Sequence, residues 1–515
     1  MRVTLCQALL TAAIAVNLLV LYWVSGGPRR RPPGPGERRR TTTTTAKPDV
    51  TVLIREFEDF ENGVSGVVES FLRERPELPV LVVVDRPPPY PPLRLPVGEN
   101  VRMVTLEPGP EPEGPAPDRD PGRLEGLLTT QFVLLVPDGA RLDSARQLQR
   151  LVRELEAGRA RLLAAPLQTR TPHRDPHCLN LTVNLREWTA VYAPDPRGRS
   201  CGAVAGEAVV LLRSRDLLTL WRPLARPLLP ALYLQASLRG WPVQLTAPGL
   251  AFSSRHRSLF ASDHNRHKAE QRGHQRWATF LGQVGVKRVV AADGRERWFG
   301  CGKDTPRCFG TVAADTPDYL YRGRWTPPCC LRALRETTRR VTRVLEASGV
   351  RYWLEGGSLL GAVRHRDIIP WDYDVDLGLY REDVAKCEAL SGLSASGSVV
   401  DEEGFVWEKA AEGDFYRVQY SRSNRLHVDL WPFFPRDGVM TRSGWTGHRQ
   451  DVEFPEHFLK PLVAIPFAGG RVLAPNNPRR FLELKFGVGA IENPEYPNPL
   501  EKRLAKMEEV PELLH

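Results

Sequence analysis

Between residues 49 and 300, runs that are apolar throughout recur between amphipathic stretches. "DVTVLIREF" (49–57) and "VLVVVD" (80–85) have no polar face, as expected of strands covered on both sides of a sheet. "GVVESFLRERPELP" between them spaces its apolar residues at helical intervals. Strand, helix, strand with such runs predicts a parallel α/β sheet. "TTQFVLLVPDGARL" (129–142) predicts a further buried strand opening onto Pro137, Asp138 and Gly139, and "LLAAPL" and "GEAVVLLRSRDLL" continue the pattern. Pro-rich stretches at 87–97 and 108–121 predict surface loops. Further along, "CLRALRETTRRVTRVLEASGV" (330–350) spaces Leu331, Leu334, Val341, Val344 and Leu345 as a helix does, with Gly349 as its stop. Val350–Leu354 predicts a strand, Gly356-Gly357-Ser358 a tight turn, and Leu359–Val363 the start of a short helix. "DFYRVQYSRSNRLHVDLWPF" (414–433) predicts a hairpin turning at Ser421–Asn424, and Asn477 and Pro478 cap a helix ending at Gly487.

The apolar run Leu5–Val24 differs in being uncharged for a bilayer's length, with Tyr22 and Trp23 at an interfacial position. It exceeds the apolar core of a cleaved signal peptide. It predicts a transmembrane anchor at 5–24 after a short tail at 1–4, followed by a Pro/Arg/Thr-rich tether at 25–48. Arg29–Arg31 and Arg38–Arg40 follow the run, which favours a cytosolic body by charge alone. The sequon Asn180-Leu181-Thr182, a candidate N-glycosylation site, favours the secretory lumen.

At 515 residues the chain is long enough for two folded domains. Its net charge of +10 comes mostly from Arg, without the dense basic and aromatic interleaving of a nucleic-acid binder. The balance suits solubility or a polyanionic ligand such as a nucleotide or phosphorylated glycan. Cys178 and Cys201 flank an expected loop, either as a disulfide or as two buried thiols, and a disulfide would need an oxidising compartment. Cys301, Cys308, Cys329 and Cys330 fall within thirty residues in the spacing C-x6-C-x20-C-C. Four thiolates make a closed tetrahedral site for structural Zn²⁺, and two disulfides or free thiols are the alternatives.

The strongest chemical signal is "IIPWDYDVDLGLY" (368–380). On a strand, Asp372, Asp374 and Asp376 share one face and Tyr373, Val375, Leu377 and Leu379 the other. Three like charges in a row are costly to bury, and a divalent cation removes that cost. The aspartates therefore predict a Mg²⁺ site, or one for Mn²⁺, which binds through oxygen ligands. The upstream Gly-Gly-Ser turn offers backbone N–H groups and a helix N-terminus to phosphates. In the hairpin's second strand His427, Asp429 and Trp431 share one face, which makes Asp429 a candidate carboxylate on a neighbouring strand, with His427 as base, as its orienter, or as a structural residue. Neither a G-x-S-x-G nor a Cys–His pair near the site suggests a covalent nucleophile.

Two resemblances follow from these residues. The order of the first half resembles the nucleotide-sugar half of a GT-A glycosyltransferase. Where that family ends a strand in Asp-x-Asp, this chain reads "VPDG" with the single Asp138. The first half, 49–300, is therefore expected to be a non-catalytic GT-A-like stem. Strand, Gly-Gly-Ser turn, helix and Asp-x-Asp strand resemble the nucleotidyltransferase superfamily, which implies an α+β catalytic domain over 301–515 that includes the cysteine segment 301–330. "EGGSLLGAVRHRDIIPWDYDVDLG", "HVDLWPF" and "PRRFLELKFG" resemble the LicD family. With the anchor, the stem and "WTPPCCLRALRET", the resemblance extends along the chain to the vertebrate fukutin-related branch of that family.

That branch implies a Golgi type II membrane enzyme with a lumenal catalytic domain. It implies transfer of ribitol 5-phosphate from CDP-ribitol to a ribitol 5-phosphate already on the phosphorylated O-mannosyl glycan of α-dystroglycan. It also implies self-association through the stem, as a tetramer, with other glycan-assembly transferases as neighbours. Other readings are a CDP-choline or CDP-glycerol phosphotransferase and a non-catalytic scaffold. By resemblance, Asp372, Asp374, Asp376, Asp429 and His427 are catalytic. Gly357 and Ser358 cradle phosphate, Arg364 neutralises it, and Trp371, Tyr373 and Val375 flank the donor. Arg449, Gln450 and Asp451 in "HRQD", and Asn493, Pro494 and Glu495 in "IENPEYP", resemble donor-contacting segments.

Overall fold

The computed structural model describes residues 49–496 apart from 86–90, 106–120, 159, 169–175, 196–197, 255–258, 311, 314–315, 394–396, 446 and 449. The expected tail, anchor and tether, and the donor-contact expectation for Arg449, lie outside the described residues. No described helix is long and apolar enough to cross a membrane.

Strands Val101–Thr105, Val80–Val84, Val50–Ile54 and Phe132–Val136 lie side by side in that order and run parallel. Successive residues of these strands face opposite ways, so Val52 and Ile54 enter one core while Leu53 and Leu135 enter another. This is why the runs carry no polar face. The sheet continues through Ala208–Arg213, which is antiparallel to both Phe132–Val136 and Leu162–Gln168. The expected parallel sheet is thus a mixed one. Helix Val64–Glu74 covers one face with Val64, Val67, Val68 and Phe71. Asp138 stands after its strand as expected, and its carboxylate accepts from the Gly63 amide at 2.9 and 3.0 Å, capping that helix.

A second sheet, absent from the expectations, contains His177–Asn184, Thr189–Pro194, Ala203–Ala205, Arg288–Val290 and Glu296–Trp298. Cys178 is joined to Cys201 beside it. Trp188, at the turn between the first two strands, has a left-handed φ of 54°. Its indole donates to the Trp325 carbonyl at 2.8 Å and its ring packs edge-on to Tyr319 in the core of the second domain. The domains share this packing, and the described residues from 49 to 496 belong to one compact unit.

In the second domain, the sheet runs Tyr352–Leu354, Val375–Tyr380, His427–Arg436, Tyr416–Gln419, Val406–Lys409, Ser398–Val400. Helix Pro328–Ala347 lies against it and buries Leu334, Val341 and Leu345. Trp353 is fully buried and sits over Gly378 on the neighbouring strand, where a Cβ would come within 2.3 Å of its ring. The hairpin turns at Ser421–Asn424, with Ser421 N donating to Asn424 O at 3.0 Å. Asn477 caps helix Pro478–Phe486 by accepting from Arg480 N, and Gly487 ends it at φ 93°.

Candidate active site

The chain leaves the strand Tyr352–Leu354 through Glu355 and enters helix Gly356–His365 at once. The predicted Gly-Gly-Ser turn is therefore the first turn of the helix. Gly356 takes φ 51°, a left-handed conformation that glycine adopts without steric cost. A Cβ on Gly357 would lie 3.2 Å from Asp372 Oδ2, so glycine there lets the helix terminus approach that carboxylate. Ser358 is buried, and its hydroxyl oxygen accepts from Asp376 N at 2.8 Å, tying helix to strand.

The aspartates do not all lie on a strand. Asp372 sits in a turn closed by its own amide to Ile369 O, and the strand starts only at Val375. Asp376 alone is within it, directly opposite Asp429 on the parallel neighbour. Asp372 and Asp374 hydrogen-bond through their side chains. The site is thus two carboxyl pairs. Among the described residues, these aspartates do not form a group whose carboxylate oxygens all lie within 4.8 Å of one another. Each residue keeps part of its surface accessible, yet their carboxyls are enclosed. Burial, opposed by hydrogen bonds to Tyr373 N and Asp374, pushes Asp372 up to about 6. Burial, followed by repulsion from Asp429, pushes Asp376 up to about 7 although the Trp431 indole donates to it at 2.9 Å. Burial and repulsion from Asp376, Asp372 and Asp429 hold Asp374 well above the usual carboxylate range. Hard oxygen donors short of positive charge fit a divalent cation.

Asp429 is gripped on its far side by Arg417, at 2.8 Å from Nε and 3.1 Å from a terminal nitrogen. His427 Nε2 lies 3.9 Å from the same carboxylate, and Nδ1 lies 3.1 Å from the Arg425 carbonyl. The ring therefore stands beside Asp429.

The other expected residues divide. Trp371 packs at a tilt against Trp325 and edge-on to Tyr496 at ring-centroid distances of 6.3 and 5.6 Å, and Tyr373 meets Phe309 edge-on. The Val375 side chain is fully buried in the core, so any donor contact there falls to its main chain. Arg364, expected on phosphate, donates to the carbonyls of Ala490 and Ile491 and straps the C-terminal segment to the helix. Asn493 binds back to Gly489 O, while Pro494 and Glu495 are exposed. Asp451 accepts from Arg442 at 2.8 Å, and Gln450 lies in the adjoining turn. Arg442 also lies over the Trp431 ring at 4.1 Å. Sequence reasoning missed Arg417, Arg442 and the buried Glu355–Lys485 ion pair. Of these, only the alternation of Arg417 with the hairpin's apolar positions was a signal.

Cys301 is joined to Cys329 and Cys308 to Cys330. The sulfurs of Cys301, Cys308 and Cys329 all lie within 4.8 Å of one another, so the two pairs form one cluster. Asn180 is exposed on its strand, beside the Cys178–Cys201 bond.

Residues 36–292 match the fukutin-related protein stem domain, and residues 349–477 the LicD/FKTN/FKRP nucleotidyltransferase domain. The chain is 58% identical to the proteins named ribitol 5-phosphate transferase FKRP of Mus musculus and of Homo sapiens. Each match covers 97% of this chain and 98% of the relative. The lipopolysaccharide cholinephosphotransferase LicD of Haemophilus influenzae is 47% identical over 34 residues, 7% of this chain and 13% of that protein.

Proposed function

Because this chain belongs to the fukutin-related protein family, we propose that it takes ribitol 5-phosphate from CDP-ribitol to a ribitol 5-phosphate on the phosphorylated O-mannosyl glycan of α-dystroglycan. It is a ribitol 5-phosphate transferase of the LicD type. The observation that carries the chemistry is the group of four carboxyls, Asp372, Asp374, Asp376 and Asp429, under the first turn of helix Gly356–His365. A divalent cation held there, Mg²⁺ in this reading, would offset both their charge and that of the donor's phosphates. The acceptor hydroxyl oxygen forms a bond to the phosphorus bearing ribitol. The bond from that phosphorus to the bridging oxygen breaks, and CMP leaves with that oxygen. The hydroxyl proton passes to the Asp429 side of the site, where the His427 ring stands 3.9 Å from that carboxylate as base or as its orienter. Phosphoryl transfer needs positioning and charge neutralisation more than a covalent nucleophile.

The cysteine cluster is read as a structural zinc site, held by four reduced thiolates in place of the bonds that join Cys301 to Cys329 and Cys308 to Cys330, and what supports this is that sulfurs of both pairs come together with Cys329 and Cys330 fully buried. A type II protein of the Golgi with a lumenal body is supported by the 5–24 run, the exposed Asn180 and the joined Cys178–Cys201. The test is incubation of the full chain with CDP-ribitol, CDP-glycerol or CDP-choline and a glycan ending in ribitol 5-phosphate. CMP release and a one-unit mass gain on the acceptor with CDP-ribitol are expected. Equal or greater turnover of another donor overturns the reading.

A further inference from the structure

The turn at 185–188, which joins stem strands His177–Asn184 and Thr189–Pro194, meets the second domain at Trp325. Trp325 N donates to Arg186 O at 2.9 Å, and the Trp188 indole donates to Trp325 O at 2.8 Å. Both main-chain polar groups of Trp325 are thus spent on the stem. Arg324 beside it is buried, with its guanidinium over the Trp188 ring at 4.4 Å. It donates to Gly285 O at 3.3 Å and Val284 O at 3.5 Å, where the stem helix Asp263–Val284 ends and a cation is favoured.

The next residue holds the active site. Thr326 N donates to Pro370 O at 2.9 Å, and its hydroxyl donates to Asp372 O at 2.5 Å. A hydroxyl carries one hydrogen, so the Tyr319 hydroxyl, 2.8 Å from Thr326 Oγ1, donates to that oxygen. Thr326 and Tyr319 are both buried, so water does not compete for these bonds. The turn carrying Asp372 lies ahead of the strand, whose ladder begins at Val375. Beyond its own closing bond from Asp372 N to Ile369 O, its main chain is held from outside the sheet, by Thr326.

We propose that the stem turn positions Asp372, acting through Trp325 and Thr326, so that cation affinity in the second domain depends on residues of the first. This rests on the reading of the aspartates as the cation site and gives the stem a part in transfer that needs no ligand of its own. Trp188 and Thr326 are positioning residues: they fix the main chain from which the Asp372 carboxylate projects. Loss of a partner behind a metal ligand costs about 10–100-fold in metal affinity, and a bond to the ligand's main chain belongs at the low end.

Calorimetric titration of the full chain with Mn²⁺, well below its melting temperature, tests this in three variants. Thr326→Val keeps the side chain's shape and removes the hydroxyl, Trp188→Phe keeps a ring and removes the indole N–H, and Thr326→Ser keeps the hydroxyl. The first two are each expected to raise the Kd for Mn²⁺ about tenfold, and Thr326→Ser to stay within about twofold of the parent. A parent-like Kd in Thr326→Val or Trp188→Phe, or a Thr326→Ser protein as weak as Thr326→Val, overturns the coupling. Amide exchange in the metal-free protein reads the same strap without any cation. In Trp188→Phe the amides of Asp372 and Tyr373 should exchange about tenfold faster while those of His427–Arg436 keep the parent's rate. Equal exchange at 372 and 373 overturns the proposal. A parent that binds no Mn²⁺ while Trp188→Phe shows the faster exchange upholds the strap and removes the cation reading instead.

Discussion

Replacing Asp374 by Asn keeps the side chain's shape and removes one charge from four crowded carboxyls, so it separates repulsion from chemistry. In the metal-free protein Asp376 is raised from 3.8 to about 7 and Asp372 to about 6. At about 1.36 kcal/mol per unit, the Asp376 shift corresponds to ~4 kcal/mol, and solvent access leaves roughly half of that. Both groups bind a proton more tightly folded than unfolded. Their contribution to stability is therefore full below about pH 4 and is lost as the pH rises through 6 and 7. Removing the Asp374 charge relieves its neighbours. We expect the metal-free Asp374→Asn protein to be about 1–2 kcal/mol more stable than the parent at pH 8 and equal to it near pH 4. With Mg²⁺ at about ten times its dissociation constant the parent gains about 1.4 kcal/mol and the variant much less, which closes or reverses the order. Transfer should fall by at least about a hundredfold. Thermal melts from pH 4 to 8, with chelator or with Mg²⁺, and CMP release measure both parts. A metal-free variant less stable than the parent at pH 8 would refute the repulsion argument, and near-parent turnover would remove Asp374 from the mechanism.

Cys330→Ser breaks the cysteine cluster at a fully buried position and should lower the melting temperature by several degrees. Metal analysis of the parent should find about one zinc per chain; no zinc, with all four cysteines of the denatured chain alkylated only after reduction, would mean disulfides. Asn180, exposed on its strand, should carry an N-glycan in cells. An N-glycosidase should shift the parent band and leave Asn180→Gln unshifted, and a body digested by protease in intact microsomes would rule out the lumenal topology. Gly378→Ala puts a Cβ at 2.3 Å from the buried Trp353 ring and should cost about 2–3 kcal/mol, read by denaturant melts; an unchanged midpoint would show that the ring has room to move.

What could be read from the sequence was what neighbours in the chain decide. The runs at 50–54 and 80–84 are apolar at every position because both faces of their strands meet a core, so period alone marks them. Asn477 followed by Pro478, and Gly487 after the last turn, are chemical stops that act within four residues. The Asp372 and Asp374 placement failed for the opposite reason. Alternation extended the strand back to Asp372, but the first turn of the Ser358 helix holds the chain at Asp376 N and leaves the two earlier aspartates outside the ladder. The partners of Asp429 and Glu355 were hidden as well, since Arg417 reaches its acid across a strand pair and Lys485 reaches Glu355 from a helix 130 residues away. Trp188 gave no periodic signal, because its role is a left-handed turn and one indole bond into the other domain.

The two domains also explain why one of them should carry the chemistry. In α/β sheets, ligands gather beyond the carboxyl ends of the strands. In the first domain that edge is closed by the protein's own charges. Arg55 follows one strand and pairs with Asp85 after the next; Arg226 joins Asp85 at 2.8 Å and Glu56 at 3.0 Å, and Arg272 and Arg276 hold Glu58. Asp138, where a metal-binding Asp-x-Asp would stand, is occupied by the Gly63 amide. A nucleotide diphosphate arriving there would have to displace ion pairs already made. In the second domain the equivalent demand runs the other way. Asp429 shares Arg417 with Glu412, while the Asp376 carboxylate accepts from the Trp431 indole and the Asp372 carboxylate from the Tyr373 amide, and among the described residues neither these two nor Asp374 makes an ion pair. The charge that the first domain cancels internally is left unpaired in the second, which is why the proposed metal and donor site falls there.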